Sequence, residues 1–309
     1  MDKAAERAKR GRVLVRVMKA ARALIRCLPL GAVSAIGFVA GCLFYICSSS
    51  QRRLARQTMA AAFPDISRRE RAGIARSFFI NMPRGALETM WFSSHLSSLG
   101  NVTVEGISHL DAALAQGRGV MAISAHFGNF PLLHLKLAQT GYPIYVMSRP
   151  MRDPAVGKYL NDLQSRCGIE TIHSFPRKRA ISETLAHLRG NHIVLIQMDQ
   201  DFGDEGIMVD FFGRPASTPT GPVVLASRAG SPMVPMFIFR TGAGRHCVKI
   251  LPAHEMVILG DQEATVKANV QALTGIIEEQ IRRAPQEWAW IHRRWKSGQE
   301  PEKADKKIS

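Results

Sequence analysis

The chain has 309 residues, of which 46% are hydrophobic, so it can bury one sizeable core and a small second element. Its formal net charge of +16 indicates an anionic partner: a nucleic acid, an acidic protein or an anionic membrane surface. The five cysteines form no Cys-x-x-Cys pair, which argues against a zinc site and against a disulfide framework.

The N-terminal segment combines basic residues with an apolar stripe. Residues 1–26 contain nine lysines and arginines. The apolar residues that recur at helical spacing are Val13, Leu14, Val17, Met18, Ala21 and Leu24. This pattern predicts a basic helix at a membrane interface, where each basic side chain near anionic lipid contributes ~1 kcal/mol. Nucleic-acid binding is disfavoured, because the chain has no recognition motif and no aromatic residues among the basic ones.

A membrane anchor is predicted directly after this helix. No charged residue lies between Arg26 and Arg52, and the block 27–47 is almost continuously apolar. Such a block is long enough to cross a hydrocarbon core or to lie within one leaflet, and it is too long for a cleaved signal peptide. Basic residues on both sides leave its orientation open. We divide the chain into a basic helix with anchor (1–52), a catalytic domain (53–298) and a charged tail (299–309), of which residues 303–309 are expected to be disordered.

The catalytic domain begins with helices and continues as alternating strands and helices. The Phe63-Pro64 pair ends one helix, and Ser67 followed by Glu70 has the spacing of a capping box for the next. Strands are predicted at 102–104, 119–124, 144–147, 193–198, 234–239 and 248–251. Helices are predicted at 108–115, 131–139, 154–167, 180–189, 222–229 and 261–283. The alternation predicts an α/β fold with a central, mostly parallel sheet flanked by helices.

The turn after the strand 119–124 is the leading candidate for a reaction centre. His126 follows that strand, Gly128 allows the backbone to bend, and Asn129 can cap the next helix. Open α/β sheets bind their ligands at the carboxyl ends of strands, which makes His126 a candidate general base. The backbone N–H groups of Gly128 and Asn129 are candidate donors to a developing oxyanion.

Several segments in fixed order carry a resemblance to a known family. They are Ala62-Phe63-Pro64-Asp65, Ser124-Ala125-His126-Phe127-Gly128-Asn129, Arg149-Pro150, Asp199-Gln200-Asp201, Phe211-Phe212-Gly213-Arg214-Pro215-Ala216 and Trp290-Ile291-His292-Arg293-Arg294-Trp295. The sequence resembles the lysophospholipid-acyltransferase-like superfamily, and within it the lipid A biosynthesis (lauroyl/myristoyl) acyltransferases.

This resemblance implies an activity, a location and partners. The activity is transfer of a fatty acyl chain from an acyl thioester to a hydroxyl of a lipid A precursor or related glycolipid. The location is the cytoplasmic face of a bacterial inner membrane. Acyl carrier protein, which is acidic, is the expected donor and acyl coenzyme A the alternative, and neither a cofactor nor a metal is implied.

The resemblance fails at one functional position. In the family an aspartate or glutamate follows the histidine after four intervening residues and orients it, whereas this chain has Pro131 there. Proline is tolerated in the first turn of a helix but cannot replace a carboxylate. The candidate replacements are Asp199, Asp201, Asp204 and Glu205, which follow the strand 193–198. If that strand is parallel to 119–124, these residues share the sheet edge of His126.

Asp199 is the preferred acid, because the resemblance implies a functional aspartate at this position. Asp201 is kept as a substrate-binding candidate, whereas Asp204 and Glu205 are assigned to a solvated loop. The resemblance also implies a catalytic place for Arg166 and a substrate-binding place for Arg149. A guanidinium can bind phosphate in two-pronged fashion, although an ion pair with a neighbouring helix is the alternative for both.

Two alternatives to lipid A acylation stay open. One is an acyltransferase for another lipid acceptor, such as an aminolipid, a phospholipid or another glycolipid. The other is a catalytically degenerate relative that binds lipid without turning it over, for which Pro131 is the main support.

Overall fold

Strands that are apolar on both faces form the centre of the molecule. In the computed structural model, which describes residues 3–298, all five residues of the strand Val120–Ser124 are buried. Val120 and Ala122 pack against one helical layer, and Met121 and Ile123 pack against the other. A parallel sheet covered on both faces requires such continuous apolar runs. The predicted tail at 299–309 lies outside the described residues.

Ten α-helices and nine strands are found within residues 3–298. The helices are α1 (Lys3–Ile25), α2 (Leu30–Cys47), α3 (Ser49–Ala62), α4 (Arg68–Phe92), α5 (Ile107–Leu114), α6 (Phe130–Ala138), α7 (Pro154–Ser165), α8 (Arg177–Arg189), α9 (Gly221–Ala229) and α10 (Gln262–Arg283). The strands are β1 (Val102–Glu105), β2 (Val120–Ser124), β3 (Ile144–Ser148), β4 (Ile169–His173), β5 (Ile193–Gln197), β6 (Ile207–Phe211), β7 (Arg214–Thr218), β8 (Met233–Gly242) and β9 (Arg245–Ile250).

The strands form a seven-stranded sheet and a separate hairpin. The sheet has the order β1-β9-β8-β2-β5-β3-β4, and its only antiparallel neighbours among the described strands are β8 and β9. The predicted α/β class with a mostly parallel central sheet is confirmed. Strand β4 and the β6–β7 hairpin were not predicted from the sequence. The hairpin turns at Phe212 and Gly213, whose φ angles of 58° and 72° are the left-handed pair that a tight two-residue turn requires.

The N-terminal helices pack against the domain. Gly37 and Gly41 of α2 face α4, where an added Cβ would come within 2.6 Å of Arg84 Cα and 2.5 Å of Ile80 Cα, respectively. Small residues four apart thus let the two helix backbones touch. Helix α3 begins at Ser49 and runs through the domain boundary predicted between residues 52 and 53. The predicted capping box of α4 is confirmed, because the Ser67 and Glu70 side chains each accept a backbone N–H of the other residue.

One described helix, α2, is long and apolar enough to cross a membrane. Only four of its residues are buried: Val33, Ser34, Gly37 and Gly41. Helices α1 and α2 expose large apolar side chains at Val13, Leu14, Val17, Leu24, Ile36, Phe38, Val39, Leu43 and Ile46. An exposed apolar surface of this extent is typical of a lipid or protein contact.

Candidate active site

The loop between β2 and α6 places His126 at the carboxyl edge of the sheet. Gly128 adopts a φ of +57°, a conformation that L side chains rarely adopt, and a Cβ there would strike the Ile238 carbonyl. The Gly128 N–H donates to the Glu287 carbonyl at 2.8 Å, and the Ala289 N–H donates to the His126 carbonyl at 3.0 Å. Segment 287–289 therefore fixes the backbone on both sides of Phe127.

A carboxylate from the neighbouring strand lies against the imidazole. Strands β2 and β5 are parallel and in register at Ser124 and Gln197, so the residues that follow them emerge side by side. Asp199 Oδ1 lies 2.8 Å from His126 Nδ1, and the His126 backbone N–H donates to Asp199 Oδ2 at 3.0 Å. The Asp199 side chain is fully buried, whereas that of His126 is 27% exposed. This arrangement holds the imidazole in the tautomer with its proton on Nδ1 and leaves Nε2 as an acceptor.

Residues of the C-terminal segment donate hydrogen bonds to Asp199. The Trp288 indole N–H donates to Asp199 Oδ2 at 2.8 Å, and His292 Nε2 donates to the Asp199 carbonyl at 3.1 Å. Arg294 is fully buried and donates to the carbonyls of Gln200 and Ser217 and to the Thr218 hydroxyl. Burial lowers the pKa of Arg294 to about 10, so it remains a cation near the carboxylate at neutral pH.

The surroundings of the pair lower the pKa of Asp199 and raise that of His126. Burial by itself lowers the pKa of His126, but the charge of Asp199 and its hydrogen bond outweigh burial and raise it overall. Burial raises the pKa of Asp199, but the attraction of His126 and the hydrogen bonds outweigh burial and hold that pKa well below its usual range. His134 lies in the next helix and is also buried, which lowers its pKa to about 3 and keeps it neutral.

The open side of the imidazole carries its reactive nitrogen. Gln200 is exposed, and its Nε2 lies 3.3 Å from His126 Nε2. The Phe130 ring lies edge-on to the imidazole, with the two ring centroids 5.2 Å apart. Such an imidazole, held on one side by a carboxylate and open on the other, can take a proton from a hydroxyl group. Within the described residues, no group of three or more His, Cys, Asp or Glu side chains is placed to hold a metal ion.

The structure places the predicted arginines at opposite edges of the sheet. Arg149 directly follows β3, which pairs with β5, so it is exposed at the carboxyl edge that carries His126. Arg166 follows α7, which returns the chain to the amino end of β4. It is therefore exposed near the amino ends of the strands, away from the imidazole. This position is contrary to the catalytic role that the resemblance implies. The resemblance implied a functional arginine at this position. The direction of α7 determines at which end of the strands that arginine lies.

Three other predicted residues have structural partners. Asp201 accepts from the Ser297 N–H at 3.2 Å and from its hydroxyl at 2.8 Å, so both its oxygens bind the C-terminal segment. The Asn129 side chain accepts from Thr89 and donates to the Gly85 carbonyl, which joins the loop to α4. Because the Gly128 N–H is also occupied, the expectation that this amide faces substrate is corrected. The backbone N–H of Asn129 remains a candidate donor.

Sequence reasoning missed the part that the C-terminal segment plays in the site. Trp288, Trp290 and Trp295 are all buried, and Trp288 also donates to the carboxylate of Asp199. A buried indole N–H group requires an acceptor. A buried tryptophan is therefore the sequence feature that indicates such a contact.

Comparison with known proteins identifies the family. The family model of the bacterial lipid A biosynthesis acyltransferases matches residues 3–297. The chain belongs to this family. The resemblance stated from the sequence is thus confirmed at the level of the family.

Several relatives of this chain are known by name. A phosphatidylinositol mannoside acyltransferase from Mycobacterium tuberculosis is 28% identical over 193 residues, which are 62% of this chain and 59% of that protein. The chain thus spans about 59% of the length of this mycobacterial relative. The lipid A biosynthesis lauroyltransferase of Escherichia coli is 25% identical over 282 residues, which are 87% of both chains. The palmitoleoyltransferase of the same organism is 26% identical over 252 residues, covering 79% of this chain and 78% of that one.

A solved structure was also matched. It is the 1-acyl-sn-glycerophosphate acyltransferase of Thermotoga maritima, with a TM-score of 0.37 and 12% identity, covering 81% of this chain and 97% of that chain.

Proposed function

We propose that this acyltransferase transfers a fatty acyl chain from an acyl thioester to a hydroxyl of a lipid A precursor or related glycolipid. The observation that carries the proposal is the His126–Asp199 pair, whose nitrogen Nε2 is open at the carboxyl edge of the sheet. Asp199 takes the part of the acid that Pro131 cannot supply. The names of the relatives from Escherichia coli and Mycobacterium tuberculosis support a glycolipid as the acceptor.

The proposed reaction needs no acyl-enzyme. His126 Nε2 takes the proton of the acceptor hydroxyl as its oxygen bonds to the thioester carbon, and the carbonyl electron pair moves to oxygen. A positioned base contributes roughly 10² to 10⁴ to the rate of such a step. The intermediate then re-forms the carbonyl, the carbon–sulfur bond breaks, and the thiolate takes the proton from the imidazolium. Asp199 stabilises that imidazolium while it exists.

Exposed apolar side chains support association with a membrane. Helices α1 and α2 together expose nine large apolar residues, and the described part of α1 carries basic side chains beside them. We place these helices at the inner membrane, with the catalytic edge on the cytoplasmic side, where lipid acceptor and soluble donor meet. The net charge of +16 suits an acidic donor, and acyl carrier protein is the proposed one.

The test is acyl transfer by the full chain in mixed micelles. Labelled acyl carrier protein and labelled acyl coenzyme A are each offered with a lipid A precursor, a phosphatidylinositol mannoside and a lysophospholipid. We expect transfer to the lipid A precursor from acyl carrier protein, and a loss of roughly 10² to 10⁴ in His126→Ala. His187→Ala is the matched control, because it changes a partly exposed histidine near the amino ends of the strands, at the opposite end from His126.

Each outcome of this test is informative. Preference for the phosphatidylinositol mannoside or the lysophospholipid would replace the proposed acceptor. Equal background transfer by the wild type and His126→Ala would instead identify a lipid-binding relative without activity.

A further inference from the structure

Gln200 adjoins the reactive nitrogen of His126 and has no part in the mechanism described so far. Its amide nitrogen lies 3.3 Å from His126 Nε2. Because His126 directs its Nδ1 proton toward Asp199, Nε2 is an acceptor, and the amide N–H of Gln200 is the end that faces it. An uncharged donor therefore stands where the acceptor hydroxyl and the thioester must meet.

The loop around His126 has few free donors for an oxyanion. The N–H of His126 donates to Asp199, that of Phe127 to the Ala125 carbonyl, and that of Gly128 to the Glu287 carbonyl. Three of the four amides from 126 to 129 are thus engaged within the protein. Of these four amides only that of Asn129 is left as a candidate, so a side-chain donor beside His126 Nε2 adds to a small set of oxyanion donors.

The backbone of Gln200 is fixed on both sides, while its side chain is exposed. The carbonyl of Asp199 accepts from His292, and the carboxylate of Asp201 accepts from Ser297. The Gln200 carbonyl itself lies 3.5 Å from Arg294 Nη1. A fixed backbone limits the positions that the amide can reach, and such pre-organisation is what makes an oxyanion donor effective.

We propose that Gln200 is a catalytic residue whose side-chain amide donates a hydrogen bond to the thioester oxygen as that oxygen becomes negative. This proposal rests on the proposed function. When the acceptor hydroxyl takes the place beside His126 Nε2, the amide turns from the imidazole to the adjacent carbonyl oxygen. It donates while the new carbon–oxygen bond forms, and the interaction weakens again when the carbonyl re-forms and the thiolate leaves.

Gln200→Leu tests this role, because leucine has a similar size and no donor. We expect kcat to fall by roughly 10² to 10³, the usual effect of removing one oxyanion donor, while KM for donor and acceptor changes little. Hydrolysis of the acyl thioester without acceptor should fall by the same factor, since attack by water forms the same oxyanion. Gln200→Glu should be slower still, because it places a negative charge beside the oxyanion.

Gln139→Leu is the matched control, because Gln139 is an exposed glutamine at the opposite sheet edge. Thermal unfolding of each variant verifies the fold. Wild-type kcat in Gln200→Leu would overturn the proposal, as would a change in KM alone or a loss of transfer with hydrolysis retained. An inactive His126→Ala beside an active Gln200→Leu would refute this proposal alone, whereas an active His126→Ala would refute the proposed function itself.

Discussion

The acid beside His126 comes from a neighbouring strand and not from the helix that follows the histidine. Pro131 occupies the first turn of α6, and Asp199 approaches from the end of β5 to 2.8 Å. Parallel strands in register bring residues together that are far apart in the chain. Although the helix has proline in its first turn, the imidazole therefore has a carboxylate partner, because Asp199 follows the neighbouring strand.

Asp199→Asn should change both the rate and its pH dependence. In the proposed mechanism His126 acts as a base only when neutral, so activity should fall as the pH drops through its raised pKa. Without the charge of Asp199, burial dominates and lowers that pKa, so the acid limb should move to lower pH. The maximal rate should fall by about 10³ to 10⁴, because the imidazolium and its tautomer lose their support. Measurement of kcat/KM against pH tests this, and an acid limb that stays in place would contradict it.

The contact between α2 and α4 depends on glycine. Gly37 and Gly41 let the backbone of α2 touch that of α4, while the other side of α2 exposes apolar side chains. A helix with one glycine-lined side against protein and one apolar side outward is suited to the boundary between protein and lipid. The contact of α2 with α4 therefore determines which side of α2 is exposed.

Gly41→Ala should weaken this packing. The new methyl group would lie 2.5 Å from the backbone of Ile80, so the helices must separate. We expect a loss of roughly 1–3 kcal/mol from overpacking, partly offset by the better helix propensity of alanine. Gly31→Ala is the control, because nothing lies within 4 Å of its Cβ position in the same helix. Thermal unfolding in detergent compares the two, and equal midpoints would show that the close contact is unimportant.

One buried carboxylate joins the N-terminal helices to the sheet. Glu88 of α4 is fully buried and accepts from Ser34 of α2 at 2.9 Å and from His246 of β9 at 3.0 Å. Arg240 of β8 forms an ion pair with it at 2.8 Å. Although burial raises the pKa of Glu88, these hydrogen bonds and charges outweigh it and lower the pKa to about 2.

Glu88→Gln should destabilise the protein and remove part of its acid sensitivity. A carboxyl group whose pKa is lowered on folding stabilises the folded state above its unfolded value of 4.5 and loses that effect as the pH falls toward about 2. Removal of the charge leaves Arg240 buried without its counter-ion, at a cost of about 3–5 kcal/mol. Glu105→Gln, which alters an exposed carboxylate of the same sheet, should leave stability almost unchanged. Urea unfolding between pH 7 and pH 3 measures both, and equal behaviour of the two variants would refute the prediction.

The sequence predicted those parts of the molecule that depend on local pattern. Long apolar periods located the central strands and helices. Strand parallelism placed the acidic cluster after β5 at the carboxyl edge that carries His126, and the resemblance selected Asp199 from that cluster. Strand β4 was missed because Ile169–His173 mixes polar and apolar residues. Trp288 lies 89 residues beyond Asp199, and no local pattern reports such a contact. Arg166 was misplaced because a motif carries residue types but not the direction of the helix that bears them.

Three residues support Asp199 or the residue after it, and all three come later in the chain than α10: Trp288, His292 and Arg294. During synthesis, α2 leaves the ribosome early and can meet the lipid phase, while Trp288, His292 and Arg294 have yet to emerge. A nascent polypeptide therefore has an imidazole and a carboxylate without the indole that holds them in place. We expect the His126–Asp199 pair to reach its final geometry only after the C-terminal segment has folded onto the sheet.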